Sequence, residues 1–329
     1  MTAAGGARLR LLGDVGGTSA RFVLQAGDAP PRHSATLASA DYAELAAAVA
    51  AYLEAEAPQA SPDAAAFAVA APVTGDQVQM TNSPWSFSIE GLRRRLELDR
   101  LTVINDFTAI ALSVPRLGDE DLSRIGGGAR TPGAPIAVLG PGTGLGVSGL
   151  IPVEPDRGGG GWSPLATQGG HVTLAPANDR EADALAVIRR EFGHASAERV
   201  LSGQGLVTLC RALAEVTGGG EAPETPEEVT GQALAGGSAL CAAALEMFCA
   251  MLGTVASNLA LTLGARGGVF IAGGIVPKLG AAFAASPFRQ RFEDKGRFSD
   301  YLAAIPTYVI TREAPALLGL ASLPDGNDG

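Results

Sequence analysis

Residues 11–24 read "LLGDVGGTSARFVL": an apolar run, a two-glycine break, then a second apolar run. So short a break between two extended runs leaves room only for a tight reversal. The stretch therefore predicts two antiparallel strands joined by a glycine turn. The arrangement returns at 136–150, "IAVLGPGTGLGVSGL". Each turn sets threonine beside glycine, Thr18 in the first and Thr143 in the second. A β–turn–β unit that opens each half of the chain is an internal repeat, and 329 residues are enough for two domains of ordinary size, each with its own core.

Glycine lets successive backbone N–H groups approach a ligand without a Cβ in the way, and a tight turn of such groups is an anion cradle. Gly16, Gly17 and Thr18 form one candidate phosphate site, and Gly142, Thr143 and Gly144 the other. Glycine is equally favoured in ordinary hairpin turns, so the argument for phosphate rests on the repetition of Gly with Thr. Asp14 would repel phosphate unless a cation lay between them, which makes it a candidate Mg²⁺ ligand, direct or through water. No GxxxxGK[ST] motif occurs. "GLGVSG" at 144–149 fits GxGxxG but runs into "LIPV" instead of opening a helix, as a dinucleotide fold requires.

Between the turns, a helix is expected over 41–56 with Asp41 as N-cap. A buried strand follows in "AAAFAVAAPVTG", then a strand at 100–106 running into a helix that ends near Pro115. "GGGARTPGAP" at 126–135 is turn-rich and the best candidate for part of a domain connection, and "DRGGGGW" at 156–162 reads as an exposed loop. Further helices are expected at "READALAVIRREFG" and 204–216, a strand at "GGVFIAGG" (267–274), and a final strand and helix in "YVITREAPALLGLAS".

Three stretches carry further chemistry. Asn105–Asp106 closes a strand, where α/β folds present ligand-binding groups, although Asp106 is equally suited to capping the next helix. "TQGGHV" (167–172) brings His171 into a turn, as a site residue or a buried, hydrogen-bonded histidine. "SAERVLSGQGL" (196–206) puts Glu198 at a helix start, with Ser202–Gly205 as a turn.

Composition excludes other classes. A net charge of −10 argues against nucleic acid as a partner, and the one basic run, Arg93–Arg95, sits among leucines as a solvated helix face. Cys210, Cys241 and Cys249 have neither CxxC spacing nor an adjacent His, as expected of thiols in a reducing cytoplasm. The N-terminal stretch has no long apolar run with a cleavage site. The apolar stretch 239–265 contains Glu246 and Asn258, and its large residues recur every three to four positions. That is a buried helix, not a membrane span.

Together the motifs resemble those of bacterial glucokinases of the ATP-dependent hexokinase and actin-like ATPase superfamily. The matching stretches are "GDVGGTSAR" (13–21), "MTNSPWSFS" (80–88), "VINDFTAIA" (103–111), "GPGTGLGVS" (140–148), "GGHVTLAP" (169–176), "HASAERVLSGQGL" (194–206), "GGVFIAGGIVPK" (267–278) and "FEDKGRFSDYLAAIP" (292–306). They span nearly the whole chain in order. The resemblance implies two ribonuclease-H-like (actin-like ATPase) α/β domains with a mixed sheet each, residues 1–113 plus 312–329 and residues 114–311, with the active site in the cleft between them. It implies that Asp106 is the general base for the 6-hydroxyl of glucose, and that Asn105, Asp106, Gln168, His171 and Glu198 bind the sugar. The two turns would bind ATP phosphates, with Mg²⁺ as cofactor, and Gly273 and Gly274 would hold the adenosine. A cytoplasmic homodimer at the entry to glycolysis follows from the same resemblance. One departure stands out: the family usually has Glu before "GGH", where this chain has Gln168.

Rival functions keep discriminating features. A kinase for another hexose or an amino sugar remains compatible. The zinc-bearing repressor/kinase proteins cluster cysteines near the sugar-site His, whereas the next Cys after His171 is Cys210, and about a dozen residues before Asp14 leave no room for a DNA-binding domain. A sugar-independent actin-like ATPase would lack the sugar set, and a nicotinamide oxidoreductase would need the dinucleotide geometry.

Overall fold

A computed structural model describes residues 8–153 and 161–324. The chain divides into two compact units, residues 1–116 with 313–329, and residues 117–312.

The first unit opens with the predicted hairpin, β1 (Leu9–Val15) and β2 (Ser19–Ala26). Next come β3 (Arg32–Ala38), α1 (Leu45–Glu56), β4 (Ala64–Val69), the short antiparallel pair β5 (Gln77–Gln79) and β6 (Ser86–Ser88), α2 (Ile89–Arg95), β7 (Arg100–Asn105) and α3 (Asp106–Ser113). The main sheet runs β3-β2-β1-β4-β7. β1, β2 and β3 are antiparallel neighbours, while β4 and β7 run parallel to β1. β4, "AAAFAV", is buried along its whole length, as a parallel strand covered on both faces must be. Phe22, Tyr52 and Phe67 pack as an aromatic cluster in this core, with ring centroids 5.3 and 6.1 Å apart. Burying side chains of this size stabilises the fold by about 1.5–3 kcal/mol each.

The second unit contains β8 (Leu122–Gly126), β9 (Ile136–Pro141), β10 (Leu145–Val153) and β11 (Gly161–Ala166), then α4 (Asp179–Phe192), α5 (Gly203–Thr217), α6 (Pro226–Leu234) and α7 (Ala239–Leu263). It ends with β12 (Val269–Ile271), the short helices α8 (Val276–Leu279), α9 (Ala281–Ala284), α10 (Phe288–Glu293) and α11 (Ser299–Ala303), and β13 (Thr307–Ile310). The sheet order is β11-β10-β9-β12-β13-β8. With β8 set aside, both sheets have the same order: third, second, first, fourth and fifth strand. The pairing senses repeat as well, antiparallel through β9, β10 and β11 and parallel for β12 and β13. This is a ribonuclease-H-like mixed sheet built twice, the fold class the motifs implied.

α7 is the apolar stretch singled out above. Ser238 caps its start by accepting from Cys241 N–H, and Gly264 closes it in the left-handed conformation. It is long and apolar enough to cross a membrane, yet two thirds of its most apolar window is buried inside the unit. The chain then returns to the first unit as α12 (Pro315–Ala321), which lies across α3. A Cβ on Gly319 would stand 1.8 Å from the Ala109 carbonyl, so only glycine permits this crossing. Arg10 secures the same layer by donating to the carbonyls of Ala321 and Leu323.

Two sequence expectations need correction, and one strand had not been anticipated. Asp41 is not the N-cap of α1: it ends a separate single turn, and the helix starts at Leu45 after Glu44. β3 has no counterpart in the sequence reading, because "RHSATLA" is a mostly exposed edge strand without clean alternation. The turn-rich stretch 126–135 lies inside the second unit, between β8 and β9. Residues 156–160 of the expected loop lie outside the described residues, and Gly161–Trp162 open β11.

Candidate active site

In the first unit, parallel register aligns Val15 with Val69 and Val69 with Asn105. The C-terminal ends of β1, β4 and β7 therefore form one row, which brings Asp14, the Gly16–Thr18 turn, Asn105 and Asp106 to the same end of the sheet. This is the edge where open α/β sheets bind ligands.

The turn itself is tight, with Gly16 N–H donating to the Ser19 carbonyl at 2.9 Å. A Cβ on Gly17 would stand 2.7 Å from the Asn82 carbonyl, so the 81–84 segment packs directly on the turn. Thr18 is exposed at its tip. Asp14 faces Arg21 across the hairpin. Burial pushes its carboxyl up to about 6, with the Arg21 charge opposing the rise.

Whether Asp106 is a cap or a free carboxylate is answered by its neighbour. Asn105 is the N-cap of α3, its Oδ1 accepting from the N–H groups of Phe107 and Thr108. Asn105 Nδ2 donates to the Ala71 carbonyl at 3.3 Å, and the same side chain hydrogen-bonds the Asp106 carboxylate. Asp106 is the first helical residue and accepts from Phe107 N–H at 2.9 Å as well as from the Asn105 side chain. Its carboxyl is pushed up to about 6, chiefly by burial; the Phe107 N–H opposes the rise and the Asp14 charge adds to it. A half-buried carboxylate with that proton affinity can accept a hydroxyl proton near neutral pH.

The second unit assembles the remaining candidates around the β9–β10 turn. Gly142 N–H donates to the Gly144 carbonyl at 2.8 Å, and Gly203 N–H donates to the Gly142 carbonyl at 2.8 Å. Thr143 is exposed at the tip. Leu145 N–H donates to Glu198 Oε2 at 2.9 Å, and Glu198 Oε1 lies 3.8 Å from His171 Nδ1. The backbone ties the two segments together, with Glu198 N–H donating to the Gly170 carbonyl and His171 N–H to the Gln168 carbonyl. After β12, Gly273 turns with φ of +84°, a conformation glycine adopts without strain, and Ile275 N–H reaches the Pro141 carbonyl at 3.3 Å. Gly273 and Gly274 thus run beside the phosphate-type turn.

One open alternative is decided here, and one reading changes. His171 is exposed, not a buried core histidine. Glu198 does not begin a helix: it sits in the preceding turn, and Ser202 is the N-cap of α5, accepting from Gly205 N–H. Gln168 is also exposed, in the same short segment as His171. Sequence reasoning missed two backbone neighbours of the site, Asn82 against Gly17 and Leu145 against Glu198. Both are juxtapositions that spacing alone does not carry.

Asp14 is the group suited to a divalent cation. Among the described residues no cluster of three or more His, Cys, Asp or Glu could enclose one. A half-buried carboxylate beside the Gly16–Thr18 turn fits an Mg²⁺ ion that keeps water and ligand oxygens of its own, because Mg²⁺ seldom uses an all-protein cage.

The sequence model of the glucokinase family matches residues 11–326. The chain belongs to the glucokinase family. A glucokinase from Aromatoleum aromaticum is 54% identical over 317 residues, covering 96% of this chain and 94% of the relative. A second glucokinase, from Paramagnetospirillum magneticum, is 53% identical over 313 residues, 95% of this chain and 96% of its own length. Among solved structures, the glucokinase from an Antarctic psychrotroph is similar at a TM-score of 0.83 and 36% identity, covering 95% of this chain and 97% of that one. The repeated sheet order and both glycine turns are thus features of a glucokinase-family chain matched over nearly its full length.

Proposed function

We propose that this protein is a glucokinase that transfers the γ-phosphoryl group of Mg-ATP to the 6-hydroxyl of glucose, giving glucose 6-phosphate and ADP at the entry to glycolysis. The observation that carries the reading is Asp106: a carboxylate released from capping by Asn105, raised to about 6, and set beside the Asp14 turn.

Asp106 orients the primary hydroxyl and takes its proton as the oxygen attacks phosphorus. At pH 7–8 it is mostly ionised yet more basic than an ordinary aspartate. Asn105, the Glu198 carboxylate, His171 and Gln168 hydrogen-bond the sugar ring. N–H groups of the Gly16–Thr18 and Gly142–Gly144 turns hold the phosphate oxygens, and Gly273–Gly274 leave room for the adenosine. Phosphoryl transfer has a loose transition state, so alignment and charge stabilisation supply most of the acceleration. Asp14 would hold the Mg²⁺ of the nucleotide, directly or through water, and that ion supplies neutralisation of the phosphate charge.

Gln168 favours a second possibility within the same class. An amide in place of a carboxylate gives up a charge-assisted bond to a sugar hydroxyl, so glucose would be held more weakly than is usual in the family, or another hexose preferred. A coupled assay across glucose, mannose, fructose, glucosamine and N-acetylglucosamine tests both readings. ATP consumption that ignores added sugar would overturn both in favour of a sugar-independent ATPase. The buried free thiols of Cys210, Cys241 and Cys249 agree with a cytoplasmic enzyme. The homodimer implied by the family is tested by light scattering on the purified protein.

A further inference from the structure

The second phosphate turn is tied at both ends to one short segment, residues 198–203. Gly203 N–H holds the entry of the turn through the Gly142 carbonyl, and Glu198 Oε2 holds its exit by accepting from Leu145 N–H. Leu145 is buried, so an unpaired N–H there would carry the full cost of desolvation. The approach is so close that a Cβ on Gly144 would stand 2.4 Å from Glu198 Oε2. Glu198 is itself braced: its N–H donates to the Gly170 carbonyl at 2.8 Å, and its carbonyl accepts from Ser202 Oγ at 2.8 Å. Its other oxygen, Oε1, faces His171.

We propose that Glu198 is a positioning residue for the nucleotide as well as a sugar ligand, with Oε2 fixing the exit of the Gly142–Gly144 turn and Oε1 left for the sugar. The inference rests on the functional reading above, which assigns the turn to phosphate and the His171–Glu198 pair to sugar. A carboxylate acceptor makes this bond stronger than a neutral one and sets the direction of the turn N–H groups before any phosphate arrives. Because one rigid carboxylate serves both sites, ordering by either substrate is transmitted to the other, and the coupling is reciprocal.

The test separates the two roles of Glu198. Affinity for a non-hydrolysable ATP analogue is measured by calorimetry on the full chain without sugar, and affinity for glucose is measured separately. Glu198→Ala removes both oxygens and is expected to weaken sugar-free nucleotide binding roughly tenfold, the scale of one lost charge-assisted hydrogen bond. Glu198→Gln keeps an oxygen able to accept from Leu145 N–H, so nucleotide affinity is expected to stay within about threefold of wild type while glucose affinity falls. Gly144→Ala, on the phosphate turn, is expected to weaken glucose binding because its methyl displaces the carboxylate. Wild-type nucleotide affinity in Glu198→Ala, or wild-type glucose affinity in Gly144→Ala, overturns the proposal. Unchanged glucose affinity in both Glu198 variants instead overturns the sugar reading, and the nucleotide titration still decides the positioning role. If Glu198→Ala does not fold, Glu198→Gln and Gly144→Ala decide the matter alone.

Discussion

Asp106→Asn separates what this residue does for chemistry from what it costs the fold. In the folded chain the carboxyl rises from its ordinary value near 3.8 to about 6, so folding disfavours its ionisation. The sign follows from the displacement. The stabilising contribution of a group with a raised proton affinity is complete below pH 4 and is lost as the pH climbs through 6. At neutral pH the ionised Asp106 therefore costs the folded state about 3 kcal/mol, at ~1.4 kcal/mol for each pH unit of displacement. Asn is isosteric, uncharged, and keeps an oxygen for Phe107 N–H. The variant should thus be the more stable protein at pH 7.5, by about 1–3 kcal/mol in chemical denaturation, with the gap closing at pH 4.5. The same substitution removes the base and should lower kcat about 10²–10⁴-fold in the coupled assay. Wild-type kcat/KM should fall on the acid side with a midpoint near pH 6; because the Asp14 charge raises Asp106, the two carboxyls titrate as a coupled pair. An Asn variant that is no more stable at pH 7.5, or a wild-type midpoint near pH 4, would refute the reasoning.

Other expectations follow from the geometry. Gly17→Ala drives a methyl to 2.7 Å from the Asn82 carbonyl, so KM for ATP should rise several-fold while glucose affinity stays unchanged, as steady-state kinetics with each substrate varied would show. Buried Glu181 and partly buried Arg291, 2.7 Å apart, join α4 to α10; because Glu181 keeps its bonds from Ala177 N–H and Asn178 Nδ2, Arg291→Met should destabilise the fold by about 1–3 kcal/mol in a denaturant titration. Gln168→Glu should tighten glucose binding about 5- to 150-fold in calorimetry, the value of about 1–3 kcal/mol for a charge-assisted bond; identical affinity would make the substitution silent.

How far the sequence could be read depended on the range of the interaction. The β1–β2 and β9–β10 hairpins were legible because two glycines between apolar runs admit no other local solution, and their repetition revealed the doubled sheet. β4 and α7 were legible from apolar runs that only a covered strand or core helix can bury. β3 escaped because an exposed edge strand lacks the alternation that burial imposes. The start of α1 escaped because an acidic residue ahead of an apolar run looks like a cap whether or not the chain turns there. The site followed the same rule. Asp106 stood out by its type and its position at a strand end, but its liberation by Asn105 and its closeness to Asp14 come from strand register and cap geometry. The bond from Leu145 to Glu198 was invisible for the same reason, since it joins segments far apart in the chain.

The account depends most on what leaves the active site. Incubating the protein with ATP, magnesium and glucose and following the mixture by phosphorus NMR reads the product directly. A single new sugar phosphate at carbon 6, formed mole for mole with ADP and at least about a hundredfold more slowly when Asp106→Asn replaces the wild type, is the predicted result. Inorganic phosphate in place of a sugar ester, or equal product from the Asn variant, would contradict it.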